Sequence, residues 1–385
     1  FLNWGYLQER IAFTNYSENE NIITTTITNS DKTSNEDARW KHVIVLNCFM
    51  AIMCCITALP VLLFLKRGDD ANPAAAASQK NTPNNYTKTA SPSFFISDSS
   101  WSHRHPLIPD TTLSLPSLTQ TLASPFGYLS LRYINYPMLL LIKSSKLVPV
   151  MLLSHFINKK RYTLLQITGV VFISAGVALF SSPLAPLKLF FILGSASTAD
   201  DGDGGSGSAV WERLLNTLIG SSLITINLYL DGFTNATQDQ YCERHPRVSP
   251  FYVMYQTNLW QVIYMSHYLV ITFFLCQLSL LPSSQLTDAV SFIARYPSIV
   301  RDLVLFSALG AVGQVFVFYI IVEFGALTCV FVTVTRKFFS IFLSVIVFGH
   351  LVTWWQWCGV GCVFGGLMIH AVDRYRGGME VVVGG

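Results

Sequence analysis

Four cations stand where an apolar chain should carry none. Lys143 and Lys146 lie six and nine residues into an apolar run that starts at Pro137, and Arg336 and Lys337 lie ten and eleven residues into the run from Ala326. Read as helices, these runs put Lys143 and Lys146, three apart, on one face. At 1.5 Å per residue Lys146 would lie roughly 13 Å deep, near the centre of a hydrocarbon core about 30 Å thick. A cation at that depth costs at least about 2.5 kcal/mol on insertion scales, so each needs a polar cavity or a partner. The chemistry on offer is anion binding: Arg336 suits bidentate contact with a phosphate, and the lysines act as point charges. Two other roles use the same residues, namely neutralising intramembrane carboxylates and snorkelling to the interface. The acids that could pair, Asp231, Asp239 and Glu323, all fall at the ends of their runs, and snorkelling from the centre is hard even for Arg. An anion site is the favoured reading.

Other polar residues join this set. The stretch LDGFTNATQD, Leu230 to Asp239, is unusually polar for a helix end. It reads either as a helix exit followed by a solvated loop or as a gate or base-contacting segment, with Asp231, Asn235 and Gln238 as its contacts. Asn258, near Trp260, and Gln314, after Gly310 and Gly313, lie within apolar runs; interhelical hydrogen bonding explains them as well as ligand contact does. Tyr128, Tyr133 and Tyr136 can stack on a base or sugar, but an aromatic belt at the membrane interface calls for the same residues; Tyr136 stays among the candidate contacts. No residue pattern calls for a cofactor. The eight cysteines form no framework: Cys54-Cys55 and Cys358/Cys362 sit in apolar runs, where a small buried hydrophobe is the simpler role, and no metal site is assigned.

The elements that must position these residues are membrane spans. Of 385 residues 51% are hydrophobic and only 12% charged, too few charges to cover a water-facing surface, for which about 25% is usual. Eight apolar runs are each long enough, at roughly 20 residues, to cross a bilayer as a helix. They are His42 to Leu65, Pro137 to Ile157, Thr163 to Ser181, Arg213 to Phe233, Pro250 to Leu280, Asp302 to Val322, Ala326 to Phe348 and Thr353 to Ala371. Leu113 to Leu131, interrupted by Pro116 and Pro125, is a weaker ninth. Phe1 to Phe13 reads as the second half of a tenth, because the chain opens without Met and in mid-pattern. The expected fold class is an all-α membrane protein of ten transmembrane helices. The net charge of +3 is too small to argue for nucleic acid.

Two inserts separate the spans. Lys66 to Thr112, rich in Ala, Ser, Asn, Pro and Thr, is expected to be a disordered loop, and Pro183 to Trp211, with ADDGDGGSGSA, a flexible acidic linker. Lys66-Arg67, Lys159-Lys160-Arg161, Arg244/Arg247 and Arg374/Arg376 follow alternate spans, which places them and both termini in the cytosol. Arg39, Lys41, Arg213, Arg295 and Arg301 fall opposite, so the bias is modest. The sequon at Asn15 would then be lumenal and that at Asn85 cytosolic.

An internal repeat organises the rest. Gln166, Gly169, Val170 and Gly176 recur as Gln356, Gly359, Val360 and Gly366, each 190 positions on; Thr163 likewise pairs with Thr353 and Lys146 with Arg336. With the loops placed as above, the two copies enter the membrane from opposite sides, the signature of inverted-topology repeats with a midplane site between halves. The expected division is residues 1–181 as a first five-helix repeat, 182–212 as the linker, 213–376 as the second repeat and 377–385 as a tail. A membrane enzyme such as a glycosyltransferase would need a carboxylate pair or metal cluster near the membrane surface; the acidic run reads as linker, and the chain is read as a carrier without enzymatic activity. A scaffold would not require cations at the midplane.

At these residues the chain resembles the nucleotide-sugar transporters of solute carrier family 35, subfamily B, and within them the endoplasmic-reticulum UDP-galactose transporter group of the drug/metabolite transporter superfamily. The matching segments are GYLQERI (5–11), SPFGYLSLRYINYP (124–137), KSSKLVPVMLL (143–153), LDGFTNATQD (230–239), Asn258 to Trp260, FGALTCVFVTVTRKFFSIFLSV (324–345) and QWCGVGCVFGGL (356–367). The resemblance implies 5+5 inverted repeats and antiport of UDP-galactose or UDP-glucose for UMP across the endoplasmic-reticulum or Golgi membrane. It carries the phosphate-binding role onto Lys143, Lys146, Arg336 and Lys337. The partners it implies are a nucleotide sugar, a nucleoside monophosphate and the lipid bilayer; a homodimer is compatible with it. Animal members of this branch have also been described as ATP/ADP exchangers, which is the alternative. Ser145 stands where the group usually has Cys, Ala326 where it has Pro, and Glu323 puts an acid beside the Phe-Gly turn. The tail GGMEVVVGG carries no dilysine, so retention in the endoplasmic reticulum rests on the resemblance.

Overall fold

The computed structural model describes residues 42–71, 108–130, 132–134, 142–143, 145–181, 207–245, 248–280, 283–347 and 354–383, and these residues are helical or lie in the turns between helices. In chain order the helices are α1 (Val43–Ala71), α2 (Ser114–Ser130, entered through a 3₁₀ turn at Thr111–Leu113), α3 (Leu147–Asn158), α4 (Leu164–Ser181) and α5 (Gly207–Arg244). There follow α6 (Pro250–Gln277), α7 (Gln285–Arg295), α8 (Ser298–Phe324), α9 (Ala326–Val347) and α10 (Trp354–Val383). The half-span at Phe1 to Phe13, both sequons and Tyr136 lie outside the described residues, as do most of both inserts.

Among the described residues α1 over Val43–Leu65, α6 and α8 are long and apolar enough to cross a membrane. Their outward side chains suit lipid, as with Val300, Val304, Leu309, Val312 and Phe316 along α8. Shorter apolar helices occur at Leu147–Asn158, Leu164–Leu179, Ala326–Arg336 and Trp357–His370.

Two expected elements differ from the structure. The run from Pro137 is not one helix through its lysines: Ser145, Lys146 and Val148 donate to Ile142, Lys143 and Ser145, three residues back, and the i−4 ladder starts with Val150 to Lys146. Pro149 is the reason. With no N–H and a ring that would clash with the carbonyl of Ser145, it is tolerated only in a first turn, and α3 begins at Leu147 so that Pro149 is its third residue. The second difference is LDGFTNATQD, which is no helix exit but lies inside the 38-residue α5. Thr234, Asn235 and Thr237 donate to the carbonyls of Leu230, Asp231 and Phe233 in their own helix, so the polar run satisfies itself without leaving the helix. Between two of the long spans, α7 is amphipathic, burying Ala289 with Phe292 and Ile293 beside it.

The described residues form two units. In the first, α1, α6, α7 and α8 share a core of Val45, Leu46, Leu269, Ala289, Ile299, Leu303 and Phe306. The end of the first insert is tied down in this unit: Gln256 donates to the carbonyl of Ile108 and accepts from the N–H of Asp110, and Trp260 Nε1 donates to the Asp110 carbonyl at 2.9 Å. The second unit packs α3, α4, α9 and α10 around Leu147, Val150, Val170, Ile173, Val177, Val330, Phe331, Val334, Phe338, Val360 and Val363.

The 190-residue repeat is visible in that core. Val170 and Val360, and Ile173 and Val363, are equivalent pairs buried together, and Val177 is matched by Leu367 at its edge. Gly169 lies against Gly366, and Gly176 against Gly359 and Val363. Since Gly169 is equivalent to Gly359 and Gly176 to Gly366, each contact is the other with the two copies exchanged. That reciprocity marks a two-fold relation between antiparallel helices. A Cβ on Gly176 would stand 2.7 Å from the Gly359 carbonyl oxygen and from the Val363 nitrogen, so glycine is what permits the approach.

Candidate functional site

The site is assembled in the second unit, at the N-terminal end of α3. Here α5 approaches α3 closely at Gly232, whose missing Cβ would lie 3.0 Å from Leu153 and 3.4 Å from the Pro149 carbonyl. One residue earlier, Asp231 thereby meets Lys146, with Nζ 3.2 Å from Oδ2. The two side chains are 27% and 30% exposed, so the pair is not enclosed by protein. Lys143, one turn before, lies in the field of both Asp231 and Lys146. Asn235, one turn after Asp231, donates to that residue's carbonyl at 2.7 Å.

From its place at the end of an apolar run, Asp231 is expected to end a helix and to lie out of reach of the lysines. The structure corrects this. Asp231 lies well inside α5, and its carboxylate neutralises Lys146.

α9 comes to the same place. Cys329 is buried within electrostatic reach of Lys146, and Arg336, seven residues later, projects from nearly the same face of α9 about 10 Å further along its axis. Arg336 is partly buried. Lys337 is part of α9, and its side chain lies outside the described residues. Gln238 is buried on α5. Asn258 and Gln314 belong to the first unit; Asn258 is buried and donates to the Met254 carbonyl at 2.7 Å within α6, while Gln314 is partly exposed on α8. The structure thus brings Lys143, Lys146, Asp231 and Asn235 together and sets Arg336 on a neighbouring helix.

A second polar cluster, at the C-terminal end of α5, was not anticipated as a unit. Asp239, 4% exposed, accepts from Lys160 Nζ, from Asn158 Nδ2 at 3.3 Å and from the backbone N–H of Ala326 at 3.1 Å. Lys160 also reaches Glu243 at 2.8 Å. Burial works against the Lys160 charge, but the attraction and hydrogen bonds of Asp239, with those of Glu243, outweigh it and hold the ammonium above the ordinary lysine pKa of 10.5. The carboxylate also sits at the N-terminus of α9, where a negative charge suits the helix dipole. Gly325, with φ +86°, makes the sharp entry into α9 that side chains rarely adopt. The departure at 326 now has a consequence: the N–H that Asp239 accepts is one that proline would lack. Sequence spacing held no signal for this cluster, since its members are about 80 residues apart and each reads singly as a loop charge or helix end.

Residues 87–374 match the model of the UAA transporter family. The chain belongs to the UAA transporter family. Among curated relatives it is 34% identical to the UDP-galactose transporter homolog 1 of Emericella nidulans over 97% of this chain and 80% of that protein. It is 32% identical to the UDP-galactose transporter homolog 1 of Yarrowia lipolytica over 96% and 83%. A plant relative, UDP-galactose/UDP-glucose transporter 3 of Arabidopsis thaliana, is 33% identical over 67% of this chain and 70% of that protein. The resemblance to nucleotide-sugar transporters stands, and with it the reading of the chain as a multi-pass membrane transporter instead of an enzyme.

Proposed function

We propose that this transporter carries UDP-galactose or UDP-glucose into the lumen of the endoplasmic reticulum or Golgi in exchange for UMP, by alternating access, with ten spans in two inverted five-helix repeats. The observation that carries the proposal is the partly exposed Lys146–Asp231 pair, with Lys143 in its field and α9 beside it, in a chain whose relatives are named for UDP-galactose transport. Lys143, Lys146, Arg336 and Lys337 hold the phosphates, the lysines as point charges and Arg336 in bidentate fashion. Asn235, Gln238, Asn258, Gln314 and Tyr136 are assigned to sugar and base contacts. The reciprocal glycine contacts of α4 and α10 support the inverted repeat, and both termini are assigned to the cytosol.

The test is exchange in proteoliposomes. Vesicles preloaded with UMP should take up labelled UDP-galactose, and Lys146→Ala or Arg336→Ala should abolish uptake. Wild-type vesicles no better than protein-free ones would sink the substrate assignment. Unchanged uptake in both variants would sink the site. Stimulation by internal ADP but not UMP would replace the reading with adenine-nucleotide exchange.

A further inference from the structure

We propose that Asp231 is the counter-ion of the empty site, a carboxylate that holds Lys146 until a phosphate-bearing ligand displaces it. The inference rests on the anion-binding reading above and assigns Asp231 a role opposite to ligand contact: it competes with the ligand.

Three observations lead there. First, the pair is open. A structural ion pair compensates its desolvation by burial among further hydrogen bonds, whereas both side chains here are more than a quarter exposed, and among the described residues the Asp231 carboxylate is bonded to Lys146 alone. Asp239 makes the contrast within the same helix: it is 4% exposed and receives three different donors. Second, the charges do not cancel. Lys143 stands in the field of the pair, so the local cluster of two lysines and one aspartate keeps a net positive charge that attracts an anion. A phosphate monoester brings more charge and more acceptor oxygens than one carboxylate, and wins the lysine. Third, the carboxylate can yield without the backbone moving. The carbonyl of Asp231 is held by Asn235, and Gly232 is packed on Pro149 and Leu153, so side-chain rotation suffices.

The arrangement confers two properties. An uncharged nucleoside cannot break the ion pair, so specificity for phosphate is set partly by what the wrong ligand must displace. The returning carboxylate also helps expel the bound phosphate, which a carrier needs as much as it needs affinity.

The experiment compares the wild type with D231N, using UMP and uridine as probes, by equilibrium binding to the purified full chain and by UMP/UMP exchange in proteoliposomes. D231N is expected to bind UMP about tenfold more tightly, the scale of one partly screened charge contact, with uridine binding unchanged. Its exchange should show a lower half-saturating concentration together with a lower maximal rate, a split that a merely structural role would not produce. Equal or weaker UMP binding by D231N, with the wild type binding normally, overturns the counter-ion role and leaves the anion site standing. Failure of the wild type to bind UMP removes the anion site itself. Should D231N be lost from the membrane, K146Q/D231N, neutral at both positions, is expected to return to wild-type yield; its loss as well would overturn the pairing.

Discussion

Replacing Asp239 by Ala removes the acceptor at the centre of the second polar cluster. In the structure three donors lose their partner. Lys160 is 29% exposed and keeps Glu243 at 2.8 Å, so its loss is partly offset. The N–H of Ala326 has no such alternative among the hydrogen bonds of the described residues, while Asn158 Nδ2 keeps its second acceptor, the Ala236 carbonyl at 3.2 Å. A buried donor left unpaired costs about 1–3 kcal/mol, and losing one partner of a buried charge pair about 3–5 kcal/mol. We expect Asp239→Ala to destabilise the fold by about 3–4 kcal/mol, and Asp239→Asn, which can still accept from Ala326, by roughly half of that. Unfolding in detergent, followed by tryptophan fluorescence against denaturant, supplies the measurement, with Lys160→Met and the double variant closing a cycle. The lysine's share has a defined pH dependence. Its pKa is raised in the folded state, so its contribution is complete below the unfolded value near 10.5 and is lost only as pH climbs through the raised value. A change below about 0.5 kcal/mol in Asp239→Ala, or a coupling to Lys160 that fades between pH 7 and 9, would refute this account.

Other outcomes follow from packing and turns. Gly176→Ala should destabilise by about 1–3 kcal/mol, because its Cβ meets backbone atoms of α10 at 2.7 Å that cannot step aside; Gly361→Ala, which meets nothing within 4 Å, should be neutral or stabilising by up to about 1 kcal/mol. Thermal shifts of opposite sign check the pair, and equal shifts would contradict the α4–α10 contact. Pro149→Ala should cost less than about 1 kcal/mol, since the third residue of a helix needs no intrahelical N–H bond; a larger loss of stability would mean that the buried ring contributes packing that alanine cannot replace. Trp260→Phe removes the bond to the Asp110 carbonyl and should cost about 1 kcal/mol, read as a lower melting temperature in detergent.

Much of the membrane character was legible from residue order alone. Apolar runs are local, and a helix in lipid satisfies its own backbone and needs no distant partner, so α6, α8 and the start of α1 could be read to within a few residues, while α1 continues to Ala71, past Leu65 and into the expected loop. The repeat was equally legible, since two copies of one pattern survive at one offset. Polar stretches were misread for a related reason. Hydropathy scores LDGFTNATQD as a helix end, but Thr234, Asn235 and Thr237 return their hydrogen bonds to their own helix, which a count of polar residues cannot register.

What the cations do was decided by tertiary structure. Sequence showed that Lys146 needs a counter-charge or a ligand, because burial of a lone ammonium is costly at any position. It could not choose Asp231, 85 residues away, since that choice depends on how closely two helices approach, and the approach is set by one missing Cβ at Gly232 against Pro149. The same holds for Asp239, whose three donors come from the end of α3, the loop after it and the first residue of α9. Charge demand is a property of the residue and travels with the sequence; which partner meets it is a matter of distances that exist only once the helices have packed.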